Sequence, residues 1–199
     1  MKEQWIISVS REHGSGGHEI ASALAEEFGL PLFDKKMLSQ HCRDRGIDYD
    51  AIAPYDEAPR NIFTSRWVRG MSNSPEENVA QMQFARLRQE AEAGHSFVVL
   101  GRCGEEILRD VPGLISIFVL ADIGFRKERM QQQYHIPADL VLDKMADMDR
   151  RRRYYHNQYC RGKWGDSRNY DLSINTAAMG MEESIDFLKD YVRRRMKLK

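Results

Sequence analysis

Residues 7–21, which read ISVSREHGSGGHEIA, decide the fold. The apolar run from Trp5 to Val9 predicts a short buried strand, because its residues favour β-structure. A polar turn with three glycines follows, and apolar residues then recur at helical spacing, at positions 20, 21, 24, 25 and 28. A glycine turn between a strand and a helix attracts anions, because backbone N–H groups and the positive end of the helix dipole face it. Residues 11–17 are therefore predicted to bind phosphate, with a plain glycine turn as the alternative.

The rest of the chain repeats the alternation of apolar strands and helices. Four further strands are predicted at residues 30–33, 96–100, 114–120 and 172–175. Predicted helices lie at 35–45, 76–93, 102–109, 123–133, from Pro137 to about 159, and at 181–195. This pattern predicts a parallel α/β sheet, whose ligands bind beyond the carboxyl ends of the strands. The polar residues at those ends are Arg11 to Gly17, Asp34, Gly101, Arg102, Asp122 and Asn175.

Composition argues against several classes of protein. Of the 199 residues 42% are apolar, which is enough to bury the core of one domain. Thirty Lys and Arg balance thirty Asp and Glu, so no overall field attracts nucleic acid or a membrane surface. The first apolar run is too short for a signal peptide or a membrane span, which predicts a cytoplasmic protein without a membrane partner. The three cysteines form no Cys-x-x-Cys pair, which predicts reduced thiols and no structural metal.

A basic segment lies in the second half of the chain. Residues 126–168 hold 11 Lys and Arg against 6 Asp and Glu. The four consecutive arginines 150–153 spread over about 300° of a helix, so they cannot all meet one ligand. Arg150 and Arg153 share a face, and at least one of them is predicted to act on turnover, with Arg151 and Arg152 on other faces. The alternatives are a solvated basic face or, with the neighbouring aromatic residues, a surface for single-stranded nucleic acid.

Residues 7–21 resemble the start of the cytidylate kinase-like family. Gly101-Arg102, residues 150–171 (RRRRYYHNQYCRGKWGDSRNYD) and residues 172–185 resemble further segments of it. The resemblance implies an α/β three-layer P-loop NTPase fold with a five-stranded parallel sheet and a helical lid. It implies one domain over residues 1–199, with an acceptor-side insert at about 46–75 and a lid at about 134–168. It also implies phosphoryl transfer from ATP with Mg²⁺ to a small phosphorylatable substrate, foremost a nucleoside monophosphate such as CMP or dCMP.

The resemblance also assigns residues to roles. Catalytic roles fall to Arg102, Arg150 and Arg153. The acceptor side falls to Asp34, and a Mg²⁺-binding hydroxyl to Ser15 or Ser10. The residues expected to bind the phosphates of the nucleotide are Ser10, Arg11, His13, Gly14, Ser15, Gly16, Gly17 and His18.

The chain departs from the family's usual pattern at four places. The P-loop lysine falls at Gly17, and the first P-loop glycine falls at Arg11. The hydroxyl residue falls at position 18 or 19, and the Asp of Gly-Arg-Asp falls at Cys103. Arg11 is therefore predicted to replace part of the missing lysine charge, with the histidines of the loop as further sources. A nucleotide-binding module without catalysis is the alternative, and a nucleic-acid-binding protein is a weaker one.

Overall fold

The computed structural model describes residues 4–44, 46, 48–60, 67–68 and 71–197. The strands are β1 Ile6–Arg11, β2 Leu32–Phe33, β3 Trp67–Val68, β4 Met71–Ser72, β5 Phe97–Leu100, β6 Leu114–Leu120 and β7 Leu172–Asn175. Five of them form one parallel sheet, as the sequence predicts, and their order is β2-β5-β1-β6-β7. An antiparallel pair, β3 with β4, lies within the stretch 46–75.

The helices follow the predicted order with two differences at their starts. The helix expected at 102–109 spans only four residues, because Arg102 and Cys103 have φ angles of 56° and 53°, outside the helical region. The helix expected from Pro137 begins at Val141. The helices are α1 Gly17–Phe28, α2 Lys35–Asp44, α3 Tyr49–Ile52, α4 Pro75–Glu92, α5 Gly104–Ile107, α6 Ile123–Tyr134, α7 Val141–Tyr159, α8 Thr176–Met179 and α9 Met181–Lys197.

The sheet lies between two helical layers. On one face, apolar residues of α1 and α9 such as Leu24 and Leu188 pack with Ile7 of β1. On the other face, Leu87 of α4 packs with Ile6. Burial on both faces explains why the strands are continuously apolar instead of alternating. The carboxyl ends of the strands are thereby held along one edge, where β1 leads into the glycine turn.

Aromatic side chains attach the basic segment to this framework. Trp164 and Tyr170 pack against Phe118 of β6, with ring centroids 5.3 and 5.0 Å apart. Tyr159 packs on Phe84 of α4 at 5.2 Å. These rings therefore stabilise the position of α7 and the chain that follows it. No helix among the described residues has both the length and the apolar character that crossing a membrane requires.

Candidate active site at the glycine turn

The glycine turn has the backbone conformation that only glycine adopts readily. Gly14 and Gly16 have φ angles of 82° and 86°, in the left-handed region. Gly16 is the N-cap of α1 and contributes no side chain, so the first N–H groups of the helix face the turn without a side-chain cap. A Cβ atom at Gly16 would lie 2.3 Å from the Met181 sulfur, so a larger residue would also disturb the start of α9. The turn is built as an anion cradle.

Arg11 and Gly17 face each other across this turn. A Cβ atom at position 17 would lie 2.4 Å from Cβ and 2.8 Å from Cγ of Arg11. Only one of the two positions can therefore carry a side chain. In this chain the cation is Arg11 at the end of β1, and the first residue of α1, Gly17, has no side chain.

A cleft of about 1040 Å³ opens beside the turn. Eight Lys and Arg and five Asp and Glu line it, so its walls attract anions. Most of the predicted site residues share this cleft, whereas Ser10, Ser15, Arg150 and Arg153 are not among its lining residues. The predicted residues that line it are Arg11, His13, Gly14, Gly16, Gly17, His18, Asp34 and Arg102.

Two carboxylates that sequence reasoning missed hold the arginines of the cleft. The carboxylate of Glu57 accepts hydrogen bonds from both terminal guanidinium nitrogens of Arg11, at 2.9 and 3.1 Å. Asp56 pairs with Arg102 at 2.9 Å, and Arg102 also donates to the Leu100 carbonyl at 2.6 Å. Burial by itself raises the pKa of Glu57, but the charges of Arg11 and Arg102 outweigh it and hold that pKa well below its usual range. Both acids lie in the irregular stretch 46–75, where no sequence pattern indicated a partner for an arginine.

The two candidate serine hydroxyls are both engaged with protein groups. Ser10 donates to a carboxylate oxygen of Glu105 at 3.2 Å. Ser15 donates to the carbonyls of Glu12 and Val119, at 2.9 and 3.1 Å. Both serines are buried, at 4% and 1% exposed. Their hydroxyls therefore stabilise the turn from behind, on the side away from the cleft.

The helix α7 closes against the turn through Asp149. This carboxylate accepts the backbone N–H of His13 at 2.7 Å and forms a short ion pair with Arg126 of α6. Arg126 also donates to the His13 carbonyl at 2.7 Å and pairs with Glu12 at 3.1 Å. The sequence suggested only a pairing of Asp149 within its own helix, since the contact to the turn spans 136 residues.

The structure corrects the expected orientation of the four arginines. Arg151 and Arg152 line the cleft. Arg150 pairs with Asp147 on the exposed surface of the helix. Arg153 lies over the ring of Trp164, at 5.6 Å from its centroid. The pair predicted from shared helical spacing is therefore not in this cleft: Arg153 contacts Trp164, and Arg150 lines a separate cavity beside His13. The packing of α7 on α6 and α4, which sequence spacing does not reveal, fixes its rotation.

Arg152 lies deepest of the four. It donates to the Arg11 carbonyl at 3.1 Å, and its Nε is buried without a hydrogen-bond partner. No carboxylate among the described residues lies within ion-pair distance of it. Burial, followed by repulsion from Arg11, lowers the pKa of Arg152 to about 9, so it stays charged at neutral pH. A half-buried cation without a carboxylate in direct contact can bind an anion at the turn, although the charges of Glu57 and Asp149 act on it from farther away.

Sequence comparison agrees with this geometry. The model of the cytidylate kinase-like family matches residues 6–178. The chain belongs to the cytidylate kinase-like family. Membership supports phosphoryl transfer and nucleotide binding in general. Uronate isomerase of Corynebacterium glutamicum is 30% identical over 101 residues, which are 51% of this chain and 20% of that protein. The chain thus spans about a fifth of the length of this curated relative.

Solved structures extend the comparison to the fold. An uncharacterized protein from Eubacterium ventriosum superposes with a TM-score of 0.76 at 34% identity, over 96% of this chain and 99% of that one. Shikimate kinase from Acinetobacter baumannii superposes with a TM-score of 0.54 at 13% identity, over 98% and 95% of the two chains. Shikimate kinase from Bacteroides thetaiotaomicron gives 0.54 and 13%, over 98% and 97%. The three-layer P-loop kinase fold is therefore common to this family member and the shikimate kinases.

The two histidines of the turn in this family member have different surroundings. His13 is partly buried beside Tyr134, and His18 Nε2 lies 3.3 Å from Asp34 at the end of β2. Burial, followed by the charge of Arg152, lowers the pKa of His13 to about 4. The predicted positive charge of His13 is therefore absent at neutral pH. The cations next to the turn are Arg11, Arg126, Arg129 and Arg152, of which Arg126 and Arg129 pair with Glu12 and Glu19 of the turn and of α1.

The His13 environment makes stability depend on pH. Between about pH 6.5 and 4 the unfolded chain binds a proton at His13 that the folded chain does not, so stability falls as the pH falls through this window. We expect the free energy of unfolding of His13→Gln to fall less steeply than that of the wild type. Urea denaturation at several pH values measures the difference, with His135→Asn as a control at an exposed histidine. Equal slopes for wild type and His13→Gln would contradict the assignment.

Proposed function

We propose that this protein transfers the γ-phosphoryl group of ATP to a small acceptor, foremost a nucleoside monophosphate such as CMP or dCMP. The observation that carries the proposal is Arg152, a half-buried cation without a carboxylate partner that faces the cleft beside the glycine turn. Family membership supports phosphoryl transfer in general, and the resemblance to cytidylate kinases supports the choice of acceptor.

The cleft divides into a donor side and an acceptor side. On the donor side, the amides of Gly16 and Gly17 at the start of α1 would bind the phosphates of ATP. On the acceptor side, Arg102 and Asp34 line the cleft at the ends of β5 and β2. Arg152 would meet the transferring group between them. Phosphoryl transfer requires little covalent chemistry from the protein, so positioning and charge neutralisation supply most of the catalysis.

We expect Mg²⁺ to bind this cleft through a carboxylate. The hydroxyl of Ser15 is engaged with main-chain carbonyls, and the two carboxylate oxygens of Glu19 accept from Arg129 and Gln133. Asp34 also lines the cleft with oxygen donors of the kind that Mg²⁺ prefers, so it would hold the ion together with the nucleotide. Bound there, Mg²⁺ would offset the negative charge of the phosphates.

A screen of acceptors tests the function directly. Purified protein with ATP and Mg²⁺ is incubated with each nucleoside monophosphate and with shikimate, and ADP formation is measured. We expect turnover with a pyrimidine monophosphate above the rate with ATP alone. Turnover only with a non-nucleotide acceptor would correct the acceptor and retain the reaction. ATP binding by calorimetry without turnover on any acceptor would favour the binding module and overturn the proposal.

Substitution of the four arginines 150–153 distinguishes a role in catalysis from a role in binding. Because Arg152 would meet charge that develops in transfer, Arg152→Gln should lower kcat by about 100-fold or more, with a smaller effect on KM for ATP. Arg151→Gln should have a lesser effect, since its side chain is exposed. Arg153→Gln and Arg150→Gln are matched controls on other faces of the same helix. Equal, modest losses in all four variants would show a diffuse basic surface instead.

A double variant tests whether the cation at position 11 replaces a lysine at position 17. Arg11→Gly should weaken ATP binding about tenfold or more, because a charge-assisted contact contributes about 1.5–3 kcal/mol. Gly17→Lys should also weaken binding, because its Cβ would lie 2.4 Å from Cβ of Arg11. The double variant removes the clash and restores a cation, so it should bind ATP more tightly than either single variant. Calorimetry on folded variants measures this coupling, and losses that simply add would rule out the exchange.

A further inference from the structure

Three metal-ligating side chains meet behind the cleft, where the end of α7 meets the turn after β5. Glu105, His156 and Cys160 each present one ligand atom, and these atoms lie within 4.8 Å of one another. The thiol of Cys103 lies beside that of Cys160 but outside this group. Cys103, Glu105 and His156 are buried, at 2%, 7% and 4% exposed. We call these four residues the thiol–histidine cluster.

We propose that the thiol–histidine cluster is a structural site for a divalent metal ion of the zinc type. The sulfur of Cys160, the imidazole nitrogen of His156 and a carboxylate oxygen of Glu105 make a three-ligand set that suits tetrahedral Zn²⁺, and the neighbouring Cys103 thiol is the candidate for the fourth position. An ion such as Mg²⁺ prefers oxygen ligands throughout. The proposed phosphoryl transfer uses none of the four residues, so the site does not depend on the proposed function.

The local structure brings the ligands together in two pairs. His156 lies in the last turn of α7, and Cys160, four residues later, is the C-cap at which the helix ends. Cys103 and Glu105 flank Gly104 at the start of α5, and the left-handed conformation of Cys103 ends the preceding turn. The sequence predicted no structural metal because it contains no Cys-x-x-Cys pair. The fold instead brings together two pairs of ligand residues that lie about fifty residues apart in the chain.

The surrounding hydrogen bonds orient the ligands as neighbours of a metal site usually do. His156 Nδ1 lies 3.2 Å from the side-chain oxygen of Asn157, which leaves Nε2 facing Glu105 at 2.8 Å. The second carboxylate oxygen of Glu105 accepts the hydroxyls of Ser8 and Ser10, at 3.3 and 3.2 Å. Such outer contacts fix the ring and the carboxylate and strengthen a metal site.

The site would connect two parts of the cleft wall. Cys103 directly follows Arg102, and His156 lies one turn beyond Arg152 on α7. An ion held by both pairs would fix the end of α7 against the turn that carries Arg102. Zinc is therefore expected to raise the melting temperature of the protein.

Metal titration of the full chain tests the site. The protein is reduced, stripped of metal with a chelator and titrated with ZnCl₂ by calorimetry. We expect one ion per chain, and with Co²⁺ as the probe an absorption spectrum of tetrahedral thiolate coordination. Because loss of an outer contact alone costs about 10–100-fold in metal affinity, Cys160→Ser and His156→Gln should each weaken binding by about a hundredfold or more. Cys42→Ser, at a buried cysteine elsewhere, is the matched control and should bind normally.

Several results would overturn the proposal. They are the absence of stoichiometric Zn²⁺ binding by the reduced wild type, a Co²⁺ spectrum without thiolate bands, or unchanged affinity in a folded Cys160→Ser variant. The Co²⁺ spectrum of the wild type decides the question even where a variant fails to fold. A reduced protein that binds no metal but forms a Cys103–Cys160 disulfide on oxidation would replace the metal site by a redox pair.

Discussion

The space between positions 11 and 17 holds only one side chain, and much of the site depends on which residue supplies it. Gly17 leaves that space to Arg11, whose guanidinium then reaches Glu57. Glu57 in turn accepts the backbone N–H of Arg102, and neighbouring Asp56 pairs with the Arg102 side chain. The charge at the end of β1 thereby fixes the irregular segment that forms one wall of the cleft. A lysine on α1 would leave this carboxylate without its partner.

These buried ion pairs hold the arginines of the cleft in fixed orientations, and they make the stability of the protein sensitive to the loss of either partner. Removal of one member of a buried pair leaves the other charge uncompensated, which typically costs about 3–5 kcal/mol. Arg11 and Arg102 are therefore already oriented but partly neutralised by Glu57 and Asp56. Arg152 is different, because no carboxylate among the described residues pairs with it. Its charge could thus meet a ligand without the loss of an ion pair.

Helix α7 and the glycine turn are physically connected. Asp149 of α7 accepts an amide of the turn, and Arg126 of α6 binds both that carboxylate and the turn itself. Any movement of α7 must therefore change the contacts at residue 13. The aromatic contacts of Tyr159 and Trp164, and the thiol–histidine cluster at the end of the same helix, oppose such movement farther along the chain. The middle and the carboxyl end of α7 are thus held by different chemistry.

The sequence by itself determined the sheet, the glycine turn and the family. Continuous apolar strands and the glycines after β1 are local signals, because burial on both faces and positive φ angles restrict which residues can occupy those positions. It also predicted the exchange of charge between positions 11 and 17. Only the tertiary structure decided which arginines face the cleft, since the rotation of α7 depends on its packing against α6 and α4. The sequence pattern also gave no sign of the carboxylates that hold the arginines and the turn, which are Asp56, Glu57 and Asp149. Nor did it indicate the cluster of Cys103, Glu105, His156 and Cys160. Contacts between residues about 50 to 140 positions apart leave no periodic pattern in the chain, because they are created by the fold and not by neighbouring residues.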